Sequence, residues 1–176
     1  VSYAPCVLFA GGIPVPVPTR AADGFKVQAD NLSTYITPKT KAILLSYPTN
    51  PTGAVMGRQE LQDVVDVACA NDLYILSDEI YDRLSYDAPH VCVPSLVGAK
   101  ERTILLNGFS KAYAMTGWRV GYVCAPAPIV EAMMKIHQYT MLCAPITSQI
   151  AALEAIRNGE RDVADMVEDY DRRRRM

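Results

Sequence analysis

Lys111 is the residue in this chain whose type and company best suit a nucleophile. It follows Ser110 in the stretch Asn107-Gly-Phe-Ser-Lys-Ala-Tyr-Ala-Met-Thr-Gly-Trp-Arg119-Val-Gly-Tyr122, among small and apolar neighbours. Partial desolvation lowers the pKa of a lysine and frees the neutral amine. Arg119, eight positions on, offers a planar cation. Three more polar residues stand where apolar runs end: Asn50 in Tyr47-Pro-Thr-Asn-Pro-Thr-Gly53, and Asp78 and Tyr81 in Ser77-Asp-Glu-Ile-Tyr81. Each has an ordinary structural role open to it. Asn50 between prolines suits a turn, Asp78 a helix cap, Tyr81 core packing, Arg119 a surface ion pair and Lys111 a surface loop. Taken together they weigh more, because open α/β sheets bind ligands beyond the carboxyl ends of their strands, where these residues fall.

The elements that must position them are legible in outline. Ala42–Ser46 reads as a buried strand, and a helix follows from Arg58 to Asn71 with Leu61, Val64, Val65 and Ala68 at three-and-four spacing. Leu73–Leu76 is the next strand, so strand, helix, strand forms a βαβ unit with parallel strands. The 26 positions between Leu76 and the strand Thr103–Leu106 leave room for another crossover. Only the lysine segment separates Leu106 from the run Val120–Ala125, which predicts an antiparallel strand there. The chain therefore reads as one α/β domain over residues 1–176, with a mixed, mostly parallel sheet. A helical turn after Asp78 would bring Tyr81 to a similar side. Arg119 would return to the same region if the lysine loop folds back.

Elsewhere Cys6–Ala10 is a short apolar run ended by Gly11-Gly12, and Ile13–Pro18 is an edge strand or extended connection. Asn31–Ile36 suits a short helix, and Asp87–Lys100, with Pro89 and Pro94, is irregular. Pro126 and Pro128 suit the first turn of a helix carrying Ile129, Val130, Met133, Met134 and His137. Pro145 opens another, with Ile146, Ile150 and Leu153, ending near Asn158-Gly159, and a last helix starts at Glu160.

Composition narrows the function classes. With 17 basic and 19 acidic residues there is no charge bias toward nucleic acid, and Arg172–Arg175 beside Glu168, Asp169 and Asp171 reads as a solvated helix face. Five cysteines without a Cys-x-x-Cys pair suit reduced thiols in a reducing, cytoplasmic compartment. His90 and His137 belong to no ligand-spaced cluster, so no metal is expected. No apolar run approaches the ~20 residues of a membrane-spanning helix.

The three polar stretches, Tyr47–Gly53, Ser77–Tyr81 and Gly108–Gly121, resemble the signatures of class I/II aminotransferases, in the bacterial aspartate and aromatic aminotransferase branch. The spacing agrees: 28 positions from Asn50 to Asp78, three to Tyr81 and eight from Lys111 to Arg119. The resemblance runs from about Tyr3 to the final helix. It implies the large, cofactor-binding domain of the fold-type I enzymes, with helices on both faces of the sheet, and pyridoxal 5′-phosphate (PLP) as cofactor. Lys111 would then form the Schiff base with the PLP aldehyde and later move the substrate α-proton. Asp78 would face the pyridine nitrogen, Asn50 and Tyr81 the phenolic oxygen, and Arg119 the phosphate, with Ser110 as a further phosphate contact. Tyr3 would stand near Asp78, and the Asn50–Pro51 peptide is a candidate for cis.

Gly108 departs from many relatives, which carry a hydroxyl residue three positions before the lysine as a phosphate ligand. The resemblance also implies an N-terminal segment and a C-terminal small domain that this chain lacks, and a homodimer whose subunits complete each other's sites. A chain without those parts is expected to be inactive alone. Substrates would be an amino acid and a 2-oxo acid. A carbon–sulfur β-lyase and a non-enzymatic PLP-binding regulator domain remain alternatives, since these motifs serve the cofactor rather than the reaction outcome.

Overall fold

The computed structural model describes residues 2–176. Four strands form one sheet in the order β1 (Ala42–Ser46), β2 (Tyr74–Asp78), β3 (Thr103–Gly108), β4 (Gly121–Cys124). The first three are parallel and β4 runs antiparallel to β3. The helices are α1 (Tyr3–Phe9), α2 (Ala29–Ser33), α3 (Arg58–Ala70), α4 (Ala127–Thr140), α5 (Ile146–Asn158) and α6 (Glu160–Arg174). The architecture is thus the mixed, mostly parallel α/β sheet expected from the sequence.

Alternation along the strands decides which side is core. Ile43 and Leu45 of β1, Ile75 and Ser77 of β2 and Thr103 and Leu105 of β3 are buried. Against that side lie Leu61, Val64, Val65 and Ala68, the stripe of α3. Val64, Val65 and Ile75 have no exposed surface, and burying each such side chain contributes about 1.5–3 kcal/mol. The start of α3 is held by Glu60, whose carboxylate accepts the Gly57 N–H at 2.6 Å and the Lys26 ammonium at 2.8 Å. On the opposite side α1 brings Tyr3 to the side chains of Ser46 and Asp78. Helices therefore reach both faces.

One departure from the expected elements has a physical cause. The run read from Cys6 is the second half of α1, which already starts at Tyr3 and ends where Gly11 takes a left-handed φ of 76°. The space between β2 and β3 holds no α-helix, in keeping with the irregular stretch read over Asp87–Lys100. The parallel crossover is made by irregular chain with short 3-10 turns at Val93–Ser95 and Lys100–Arg102. Pro89 and Pro94 deny this stretch a helical ladder, and side chains fix it instead. Gln62 of α3 donates to the Val97 carbonyl and accepts the Val97 N–H, both at 3.1 Å.

Beyond β4, a small second cluster joins Phe109, Met115 and Ala152, so that α5 supports the lysine loop from below. Helix α4 forms where its proline start signal stands, but none of its residues is buried.

Candidate active site

The carboxyl ends of β1, β2 and β3 lie side by side, with Ser46 paired to Asp78 and Asp78 paired to Leu106. Asp78 is the last residue of β2 and points away from the α3 side, because Ser77 and Glu79 on either side of it are each 2% exposed. Its Oδ1 accepts the Ile80 N–H at 3.1 Å, and its Oδ2 accepts the Tyr3 hydroxyl. Burial, and then the hydrogen bond to Asp78, push the Tyr3 phenol above its ordinary pKa. The phenol therefore keeps its proton and donates it to the Asp78 carboxyl group.

The loop after β1 is drawn tight by the Thr49 hydroxyl on the Ser46 carbonyl at 2.5 Å and by the Gly53 N–H on the Thr49 carbonyl at 2.7 Å. The Asn50–Pro51 peptide is cis, as the resemblance suggested, and so is Tyr47–Pro48. Asn50 Nδ2 donates to the Tyr81 hydroxyl at 3.4 Å. Tyr81 is reached by a turn rather than by a helix, closed by the Asp82 N–H on the Glu79 carbonyl and the Leu84 N–H on the Tyr81 carbonyl, each at 2.9 Å. Lys111 Nζ stands 5.8 Å from the centre of the Tyr81 ring. Asn50, Tyr81 and Lys111, which are 61 positions apart end to end, thus form one contact group beside Asp78.

The lysine loop does fold back. Phe109 and Met115 are buried, and the Phe109 carbonyl accepts the N–H groups of Tyr113 and Met115. Thr116 then closes the loop: its hydroxyl donates to the Ser110 carbonyl at 2.9 Å, and its own carbonyl accepts Arg119 Nη1 at 2.8 Å. Arg119, in a left-handed conformation with φ of 52°, is exposed and tied by Thr116 to Ser110, beside Lys111. Gly108 and Gly121 face each other across β3 and β4. A Cβ on Gly108 would lie 3.0 Å from the Gly121 Cα and 3.3 Å from the Val120 carbonyl oxygen. A hydroxyl residue at this position, as in many relatives, would require the Gly121 and Val120 backbone to shift by a few tenths of an ångström.

The donor set matches a flat cofactor with a ring nitrogen, a phenolic oxygen, an aldehyde and a phosphate. Asp78 can take a ring N–H, the Tyr81 hydroxyl and Asn50 amide suit a phenolic oxygen, and Arg119 suits a phosphate. Among the described residues Lys111 Nζ has no hydrogen-bond or ion-pair partner. Lys111 is half-buried, with an amine free to bond an aldehyde. No group of metal-ligating side chains occurs among the described residues.

Sequence reasoning overlooked Glu79 and His90. Glu79 lies inside a motif already singled out, and strand alternation alone puts it opposite Asp78, which was the available signal. His90 carried no signal in its spacing.

This edge geometry, with an amine, a carboxylate, a phenol and an amide converging on one crevice, belongs to a known class. The profile described as Aminotransferase class I and II matches residues 1–176. The chain is 45% identical to an aspartate aminotransferase of Pyrococcus abyssi and 46% identical to aromatic-amino-acid aminotransferase 2 of Thermococcus litoralis, covering all of this chain and 46% of each relative. The solved aromatic aminotransferase of Pyrococcus horikoshii superposes with a TM-score of 0.96 at 46% identity, over 99% of this chain and 48% of that one. The chain belongs to the class I and II aminotransferase family. It spans about half the length of the relatives it matches. Membership of this family implies PLP in general terms.

Proposed function

We propose that the full-length protein is a PLP-dependent aminotransferase that moves an amino group between an amino acid and a 2-oxo acid, and that these residues are the central part of its large domain. The observation that carries this reading is the unpaired Lys111 amine over Tyr81, with Asn50 on the Tyr81 hydroxyl and Asp78 at the next strand end. When bound, the cofactor supplies an electron sink for the carbanion left after α-proton removal. Asp78 would hold the ring nitrogen, with Tyr3 keeping that carboxyl group in place. Tyr81 and Asn50 would hydrogen-bond the phenolic oxygen, and Arg119 would hold the phosphate, with Ser110 as a secondary contact. Lys111 would anchor the aldehyde, and its amine would carry the substrate α-proton on Nζ. A homodimer in the cytoplasm fits this reading. The five cysteines stand free of one another, which is compatible with a reducing compartment.

The test uses the full-length protein loaded with PLP. Amino acids added one at a time should convert the visible cofactor band to that of the aminated cofactor, with release of the matching 2-oxo acid. Release of pyruvate and ammonia from a β-substituted amino acid, without that conversion, would instead make the protein a lyase. Neither reaction from a protein that still binds PLP would leave it a cofactor-binding regulator. Lys111→Ala should abolish cofactor trapped by borohydride, and trapping at another lysine would overturn the assignment.

A further inference from the structure

Glu79 is a carboxylate that the proposed chemistry does not use, and it is 2% exposed. Its Oε1 accepts the Ser77 hydroxyl at 2.8 Å and the Val93 N–H at 2.9 Å, and its Oε2 meets His90 Nε2 at 2.6 Å. Its backbone N–H donates to the Leu106 carbonyl of β3 at 2.9 Å. A buried carboxylate is a costly way to fasten a loop, since an apolar residue of similar volume does so without desolvation. Both oxygens of this one nonetheless take hydrogen-bond partners. It is also felt nearby: burial, and then the Glu79 charge, push the Cys92 thiol up to about 12.

The placement of Glu79 gives it a purpose. Ser77, Asp78 and Glu79 are consecutive, and the two flanking side chains bond each other on the side of the sheet away from the crevice. Asp78 lies between them, and its peptide to Glu79 is fixed by the β3 carbonyl. His90 and Val93 pin the far end of the Glu79 side chain to the chain that crosses from β2 to β3. We propose that buried Glu79 and part-buried His90 form a positioning pair that sets the direction of Asp78 toward the cofactor ring nitrogen. This rests on the role assigned to Asp78 under Proposed function. Neither residue touches the crevice, so both are positioning residues and not catalytic ones.

The test compares Glu79→Ala, His90→Ala, Glu79→Gln and Asp78→Asn in the full-length protein, by PLP titration and by the pH midpoint of the bound cofactor's visible band. The two alanine variants should weaken PLP by about tenfold, the usual cost of losing an outer partner. They should also move the midpoint by about 0.5 pH unit or more, in the direction that Asp78→Asn moves it. Glu79→Gln keeps an acceptor for Ser77 and Val93 and a partner for His90, and should restore both readouts to near wild type. Alanine variants that lower only the melting temperature, with affinity and midpoint unchanged, would reduce the pair to a structural brace and overturn the proposal. If Glu79→Ala does not fold, His90→Ala decides by the same two readouts. Silence of the alanine variants beside a responsive Asp78→Asn sinks this inference alone, whereas a silent Asp78→Asn brings down the Asp78 assignment and the inference with it.

Discussion

Replacing Asp78 with asparagine is the sharpest test of the site, because it removes a charge while preserving shape. Two unit charges about 4 Å apart at an effective dielectric constant near 20 attract by about 4 kcal/mol. Asp78 is only partly buried and shares its charge with the Tyr3 hydroxyl and the Ile80 N–H. Screening and sharing reduce the useful part to roughly 3 kcal/mol, which is about two pKa units on the ring nitrogen and about 100-fold in rate. Asparagine can still accept the Ile80 N–H through its amide oxygen, so the strand end should stay in place. The assay is a single-turnover reaction of the PLP-loaded full-length protein with saturating amino acid, followed at the cofactor band. The rate should fall by roughly 100-fold or more while cofactor remains bound. A variant within tenfold of wild type would refute the claim that the Asp78 charge drives the chemistry.

Two further outcomes follow from geometry already described. Gly108→Ser would place its Cβ 3.0 Å from the Gly121 Cα, where only backbone could yield. It should destabilise the protein by about 1–3 kcal/mol in a melting experiment without tightening PLP, and a stable variant with improved affinity would contradict it. Burial alone would raise the Glu60 pKa, but the Lys26 hydrogen bond, the Gly57 N–H and the Lys26 charge outweigh it and hold the carboxyl below its ordinary value. A depressed pKa gives stability that is present above the unfolded value and lost as pH falls through the folded one. Glu60 is partly exposed, so the Lys26 pair is worth under about 1 kcal/mol. The melting difference between wild type and Glu60→Gln should be present at pH 7 and fade as the pH falls from the ordinary carboxylate range through the depressed Glu60 pKa. A difference that persists in acid would place the effect elsewhere.

What was legible in the sequence depended on how local its cause is. The span of β1 and the stripe of α3 follow from short-range patterns, and the observed bounds Ala42–Ser46 and Arg58–Ala70 match the reading closely. The antiparallel direction of β4 followed from a connection of marginal length for a crossover that carries two glycines and no amphipathic helix pattern. Helix α1 was seen only in part because Leu8 and Phe9 are 60% and 92% exposed, so its apolar residues mark no buried face. The irregular β2 to β3 connection was marked by Pro89 and Pro94, but its contacts were not legible because they come from Gln62, Glu79 and Thr103, which reach it from other elements. The strand-end polar residues were visible as a set. Their contacts, such as Asn50 with Tyr81 across 31 positions, needed the sheet to bring them together.

The adjacency of Asp78 and Glu79 also bears on how the sheet assembles. Two acidic side chains in succession point to opposite sides, so a slip of β2 by one residue against β1 and β3 would exchange them. The crevice would receive Glu79, and Asp78 would turn into the core. Asp78 is a methylene shorter than Glu79, so in the slipped pairing it would fall short of the positions where His90 and Val93 meet a carboxylate. Each buried donor left without a partner costs about 1–3 kcal/mol. The slipped sheet is therefore penalised by several kcal/mol, and the correct alignment of the reactive edge is selected during folding by contacts made on the far side of the strand.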